Sequence, residues 1–278
     1  MGRSDKGLGG ALLRAAACAV TALLIAGSVS CAKPSFPEPG EEFGGFSDYW
    51  DWSYAEGYPA GELIDDDNDG INRDRFFTRP GTEAYDSGRI VVGDSRCVQL
   101  GIYQQRAGGG DFAVFALWGG HYDEADPYLP TEAFYEEVEA CFRRQIEVRG
   151  RCEIFFFATV NDYDPSGEWN SRSVGAAVAC ARRLASMRYE LSGRGGYAPS
   201  VTVIGVEGSA DAEFSLRIDE FNALLYEALD AEPALASARR TTVSEIVLGR
   251  AGFIDDGLHY DDATLKKLVG FIVSSKGN

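Results

Sequence analysis

The chain has 278 residues, 45% of them hydrophobic, enough to bury a full core in one domain carrying an N-terminal extension. Its formal net charge of −17 repels polyphosphates and anionic surfaces, which excludes nucleic acid and an acidic membrane face as main partners. The same charge says nothing positive about substrate, since an acidic surface also serves solubility alone.

Residues 1–32 read as an export signal. Arg3, Lys6 and Arg14 make a positive leading segment, and residues 15–26 form an apolar stretch too short for a comfortable membrane span. Ser28-Val29-Ser30-Cys31 resembles a bacterial lipoprotein box with Cys31 as the lipidated residue. Ser28 stands where Leu is usual, and Ser30-Cys31-Ala32 also suits ordinary secretion. Both readings place the mature protein outside the cytoplasm, and a membrane is met only through the lipid anchor. Residues 33–45, with three prolines and three glycines, read as a semi-extended linker. Residues 46–88 form an aromatic and acidic extension with Trp50, Trp52, Tyr54 and Tyr58, either wrapping the core or facing substrate. Within it, Asp65, Asp67, Asp69 and Gly70 have the alternate-carboxylate spacing of a calcium loop. Phe76 stands where an EF-hand places its last Glu, so the run is a structural calcium site or a solvated acidic turn.

From residue 89 to 278 the pattern is regular. Apolar runs at 90–92, 112–117, 154–158, 201–206 and 242–248 are continuous rather than alternating, as expected for parallel strands covered on both faces. Between them lie helical segments. One spans 131–148, opened by a Thr cap with Glu132 in its first turn. Another spans 171–191. A third carries Leu216, Ile218, Phe221, Leu224, Leu225 and Leu229 near a 3.6-residue period, and the last spans 262–274. Alternating strands and helices predict a three-layer α/β/α sandwich with a central parallel sheet in flavodoxin-like order.

Three short motifs fall at the ends of these strands or before the last helix. Gly93-Asp94-Ser95 follows the first strand, where open α/β sheets carry their sites. Gly93 permits a tight turn, and Arg96 begins a helix whose first amides face Ser95 and can stabilise an oxyanion. Asn161-Asp162 follows the 154–158 strand, and an asparagine amide there can donate to developing negative charge, although such a pair also makes a common Asx turn. Asp256 and His259 lie three residues apart in a chain with only two histidines. The carboxylate can fix the imidazole tautomer and leave the opposite nitrogen to take a serine proton.

With these residues in view, the chain resembles the SGNH (GDSL-type) hydrolase superfamily. Gly93-Asp94-Ser95 is similar to its nucleophile block, Asn161-Asp162 to its Gly-x-Asn-Asp block, and Asp256-Gly257-Leu258-His259-Tyr260 to its Asp-x-x-His block. The run Gly93–Arg96 with residues 256–260 is similar to extracellular members from Gram-positive bacteria. The resemblance covers about residues 89–275. It implies Ser95 as nucleophile, His259 as base and Asp256 as orienting acid. The implied oxyanion hole is the Ser95 amide, Asn161, and a glycine after the second strand, Gly119 in preference to Gly120. Two positions depart from the pattern: Arg96 stands where the first block often has Leu, and Thr159 where the Gly-x-Asn-Asp block begins with Gly.

The expected activity is an extracellular serine esterase acting on small acyl esters, such as acetyl groups on glycans or cell-wall polymers. An O-acyltransferase differs only in its acceptor. The rival is a non-catalytic carbohydrate-binding surface protein on the same fold. No cofactor is expected for the serine chemistry. Arg96 reads as a contact for an acidic substrate group or as half of a local ion pair, and His121 as a rim residue or an ordinary surface histidine. Cys97, Cys141, Cys152 and Cys180 match no zinc spacing; they are disulfide formers, with Cys141–Cys152 the nearest pair, or buried free thiols.

Overall fold

The structure is a computed structural model, and it describes residues 61–64, 75–117, 122, 130–193 and 195–275. Among the described residues the strands are, in chain order, β1 (Gly61–Ile64), β2 (Arg75–Thr78), β3 (Arg89–Gly93), β4 (Ala113–Leu117), β5 (Glu153–Phe157), β6 (Tyr189–Leu191), β7 (Gly195–Tyr197), β8 (Ser200–Ile204) and β9 (Arg239–Thr241). The helices are α1 (Ser95–Arg106), α2 (Glu132–Arg149), α3 (Asn170–Ala185), α4 (Ile218–Ala231), α5 (Val243–Val247) and α6 (Asp262–Ser274).

The main sheet runs β1-β2-β4-β3-β5-β8-β9. Its five parallel strands, β4-β3-β5-β8-β9, have the flavodoxin-like order expected from the sequence. Successive side chains enter opposite cores. Ile90, Val92, Phe115, Ile154 and Phe156 pack with α2, α3 and α4, whereas Val91, Val114, Phe155, Phe157 and Ile204 pack with α1, α5 and α6. Both faces are covered, which is why these strands read as unbroken apolar runs. The chain is a three-layer α/β/α sandwich.

The sheet starts before residue 89. β1 and β2 add two antiparallel strands at the β4 edge, with Phe76 opposite Ala116 and Phe77 opposite Phe115. Phe76 and Phe77 are buried on opposite faces, so part of the 46–88 extension completes the sheet.

Two expected elements differ. The 242–248 run is helical: Thr242 and Glu245 form a reciprocal capping box that opens α5, and the strand is the preceding β9. Its apolar run suggested a strand, but two satisfied backbone donors favour the helix. The helix expected over 171–191 ends at Ala185, and residues 189–191 pair with 195–197 in a hairpin around Gly193 and Gly195, both in the left-handed region. Met187, Tyr189 and Leu191 pack on the core at a period of two, which belongs to a strand. Cys97, Cys141, Cys152 and Cys180 are all buried free thiols, so the Cys141–Cys152 bridge is not formed.

Candidate active site

The site lies where β3 and β5 end and their loops begin. Gly93 closes β3 without entering the left-handed region. The glycine is needed for space, not for the turn the sequence suggested: a Cβ there would lie 2.3 Å from Cys97 Sγ and 3.1 Å from Phe157 Cβ. Asp94 then caps α1, its Oδ1 accepting from the Arg96 amide at 3.0 Å. Ser95 is the first helical residue, and its own amide has no partner among the described residues. A free amide at a helix N-terminus favours negative charge beside it.

Residues 252–261 bring His259 to this serine. The segment folds back on itself, with Phe253 bridged to Tyr260, the Ile254 amide donating to the His259 carbonyl at 2.9 Å, and Gly257 left-handed at the tip. Asp256 Oδ1 accepts from the amides of Leu258 at 2.8 Å and His259 at 2.9 Å. Its Oδ2 lies 2.6 Å from His259 Nδ1, and His259 Nε2 lies 2.8 Å from Ser95 Oγ. Burial pushes the Asp256 carboxyl up, but the hydrogen bonds from the His259 ring and the two amides outweigh it and bring the group down to about 2. An ionised Asp256 can only accept, so Nδ1 carries the proton and Nε2 is left to accept from Ser95 Oγ–H. Ser95 and His259 are both buried. Ser95, His259 and Asp256, expected as a triad, therefore form one connected chain.

Thr159 replaces the glycine of the resembling pattern, and its hydroxyl is put to use. It is buried, donates to Asp94 Oδ2 at 2.7 Å and accepts from the Asn161 amide at 3.1 Å. One side chain thus ties the start of α1 to the short 3-10 turn Val160–Asp162 that carries Asn161. Asp162 Oδ2 accepts from the Tyr122 amide at 2.7 Å, which anchors the chain shortly after β4.

Arg96 forms no ion pair among the described residues. Its side chain is buried beneath the start of α1, donating from Nε to the Leu258 carbonyl at 3.0 Å and from its terminal nitrogens to the carbonyls of Glu207 at 2.7 Å and Gly208 at 2.6 Å. It also reaches the Tyr260 hydroxyl at 3.3 Å and lies over the Tyr260 ring, 4.9 Å from its centroid. Gln99, one turn further along α1, pairs with both backbone groups of Tyr260: Nε2 donates to the carbonyl at 2.8 Å and Oε1 accepts from the amide at 3.0 Å. Neither role was read from the sequence. The available signal was two long polar side chains, at i+1 and i+4 from the serine, in a helix that buries a further one, Gln104.

Gly119, Gly120 and His121 lie outside the described residues, as do Asp65, Asp67, Asp69 and Cys31. Among the described residues no cluster of three or more His, Cys, Asp or Glu could hold a metal ion.

No known family's sequence model matches this chain, and no curated protein matches it. Among solved structures, it is similar to an aryl esterase from M. smegmatis, with 14% identity, a TM-score of 0.45, and coverage of 66% of this chain and 96% of that one. It is also similar to a carbohydrate acetylesterase family member from Sinorhizobium meliloti, at 12% identity and a TM-score of 0.45, covering 67% and 99%. Est24, a carbohydrate acetylesterase from the same species, gives 11% identity and a TM-score of 0.43 over 66% and 96%.

Proposed function

We propose that this protein is a serine esterase of the SGNH type that hydrolyses small acyl esters through an acyl-enzyme at Ser95. The observation that carries the reading is the unbroken relay from Ser95 Oγ to His259 Nε2, 2.8 Å, and from His259 Nδ1 to Asp256 Oδ2, 2.6 Å. A binding module has no need of a serine, an oriented imidazole and a low-pKa carboxylate in one line.

In the reaction, Ser95 Oγ attacks the ester carbonyl as its proton passes to His259 Nε2. Asp256 stabilises the imidazolium that results. The Ser95 amide receives the oxyanion, with Asn161 and Gly119 proposed as the further donors. The imidazolium protonates the leaving alcohol, and water activated by His259 then cleaves the acyl-enzyme. None of these steps calls on a metal; a calcium ion at Asp65, Asp67 and Asp69 would serve structure. We place the enzyme outside the cytoplasm, anchored through a lipid on Cys31 or secreted, with acetylated glycans or cell-wall polymers as the substrate class.

The test is hydrolysis of p-nitrophenyl acetate and labelling by a fluorophosphonate probe, comparing wild type with Ser95→Ala, both checked for folding by circular dichroism. Turnover and labelling that vanish in Ser95→Ala support the reading. Labelling without hydrolysis points to the acyltransferase. A folded wild type that neither labels nor hydrolyses rejects the enzyme in favour of the carbohydrate-binding protein.

A further inference from the structure

The base sits on a hairpin that is covalently remote from the nucleophile, yet the helix that begins at Ser95 grips that hairpin on both sides of His259. Arg96 holds the carbonyl of Leu258, immediately before the histidine, at 3.0 Å. Gln99 holds the amide and carbonyl of Tyr260, immediately after it, at 3.0 and 2.8 Å. Both side chains are sealed from solvent, Arg96 at 5% exposure and Gln99 at 0%. The Arg96 cation meets no carboxylate within ion-pair distance among the described residues; carbonyl dipoles and the Tyr260 ring take its charge. A desolvated charge bonded to fixed carbonyls has one favourable position, so moving the hairpin breaks several charge-assisted bonds at once.

We propose that Arg96 and Gln99 are positioning residues that fix the Ser95–His259 distance by clamping the backbone on either side of the base. The proposal rests on the esterase reading for its kinetic consequence, but not for its geometric one. Arg96 also reaches the carbonyls of Glu207 and Gly208, and the Ala210 amide donates to the Gly257 carbonyl at 2.7 Å. The loop after β8 is thereby held to the same hairpin, and three segments share one guanidinium. Lysine cannot reproduce this, because a single ammonium lacks the planar fork that reaches several carbonyls in different directions.

The experiment compares wild type with Arg96→Lys, Arg96→Ala and Gln99→Leu, using p-nitrophenyl acetate kinetics, fluorophosphonate labelling rate and imidazole NMR. Displacement of the base costs about 10²-fold in kcat for each variant, with KM little changed. Millimolar guanidinium restores kcat and labelling in Arg96→Ala but not in Gln99→Leu. Rescue follows the missing guanidinium under either role, whereas a role confined to stability would leave the His259 proton unchanged in folded variants. With only two histidines in the chain, the proton shared by His259 and Asp256 is resolved by NMR irrespective of turnover. It is slow to exchange in wild type and broadened or lost in the variants. If Arg96→Ala does not fold, Arg96→Lys and Gln99→Leu carry the same test. Folded variants with wild-type kcat and an unchanged His259 proton overturn the clamp. A wild type that shows the His259 proton without labelling overturns the esterase reading and leaves the clamp to the NMR comparison.

Discussion

Replacing Asp256 by Asn tests the direction of the relay without removing any heavy atom. Asp256 Oδ1 accepts from two amides and Oδ2 from the His259 ring. In Asp256→Asn the amide oxygen must stay on the two backbone donors, because the reverse orientation would face an NH₂ group against both. The NH₂ then meets Nδ1 and donates to it. The ring responds by carrying its proton on Nε2, which donates to Ser95 Oγ and can no longer accept from it. The fold survives, since the backbone bonds at the hairpin tip remain, while catalysis loses its base. An exchange of tautomer of this kind costs about 10⁴ in kcat, roughly 5.4 kcal/mol of barrier. Initial rates on p-nitrophenyl acetate, with circular dichroism to confirm folding, measure it. A variant within tenfold of wild type would mean that Asp256 does not orient the base, and the relay as drawn would be wrong. The same variant has a signature in acid. Because the Asp256 carboxyl lies at about 2 when folded, below the ordinary 3.8, its ionised form adds stability above the unfolded value. That advantage over Asp256→Asn is complete above about pH 4 and disappears as pH falls through about 2.

Two further substitutions probe the support beneath the site. Thr159→Val removes the hydroxyl bonded to Asp94 and Asn161 at nearly constant shape; it should lose about 1–3 kcal/mol in urea unfolding, whereas Thr159→Ser retains most of it. Gly93→Ala drives a methyl to 2.3 Å from Cys97 Sγ and should lose about 1–3 kcal/mol of stability. Adding Cys97→Ala should recover part of that loss by removing the sulfur, which a thermal melt of the double variant reads directly.

The legible parts of this molecule were those whose cause is local. Buried strands announce themselves by continuous apolar runs, and β3, β4, β5 and β8 lie within a few residues of where those runs predict them. Ser95, Asp256 and His259 stand out in the sequence because chemistry restricts which residue types suit a relay, and the fold brings the three within hydrogen-bond distance. Two departures have equally local causes: Thr242-Val243-Ser244-Glu245 carries a capping box that outweighs the apolar run it opens, and Met187, Tyr189 and Leu191 alternate at a strand period after a helix that has already ended. Gly93 matters for space and not for the turn its motif suggests. Its missing side chain, rather than its dihedral freedom, makes room for Cys97.

What stayed hidden shares a different cause. Arg96 and Gln99 act on backbone groups some 160 residues away in the chain, at Leu258 and Tyr260. A backbone acceptor has no residue identity, so nothing at the far end of such a bond marks the sequence. The constraint is therefore one-sided. Arg96 and Gln99 must keep their donors and reach, while the Leu258 side chain is free of the contact that its carbonyl makes. Gly208 is fixed for another reason, since a Cβ there would fall 2.3 Å from Ser215 Oγ. Substitution along the clamp should thus be severe at 96 and 99 and mild at 258, a contrast that a direct pairing between side chains would not produce.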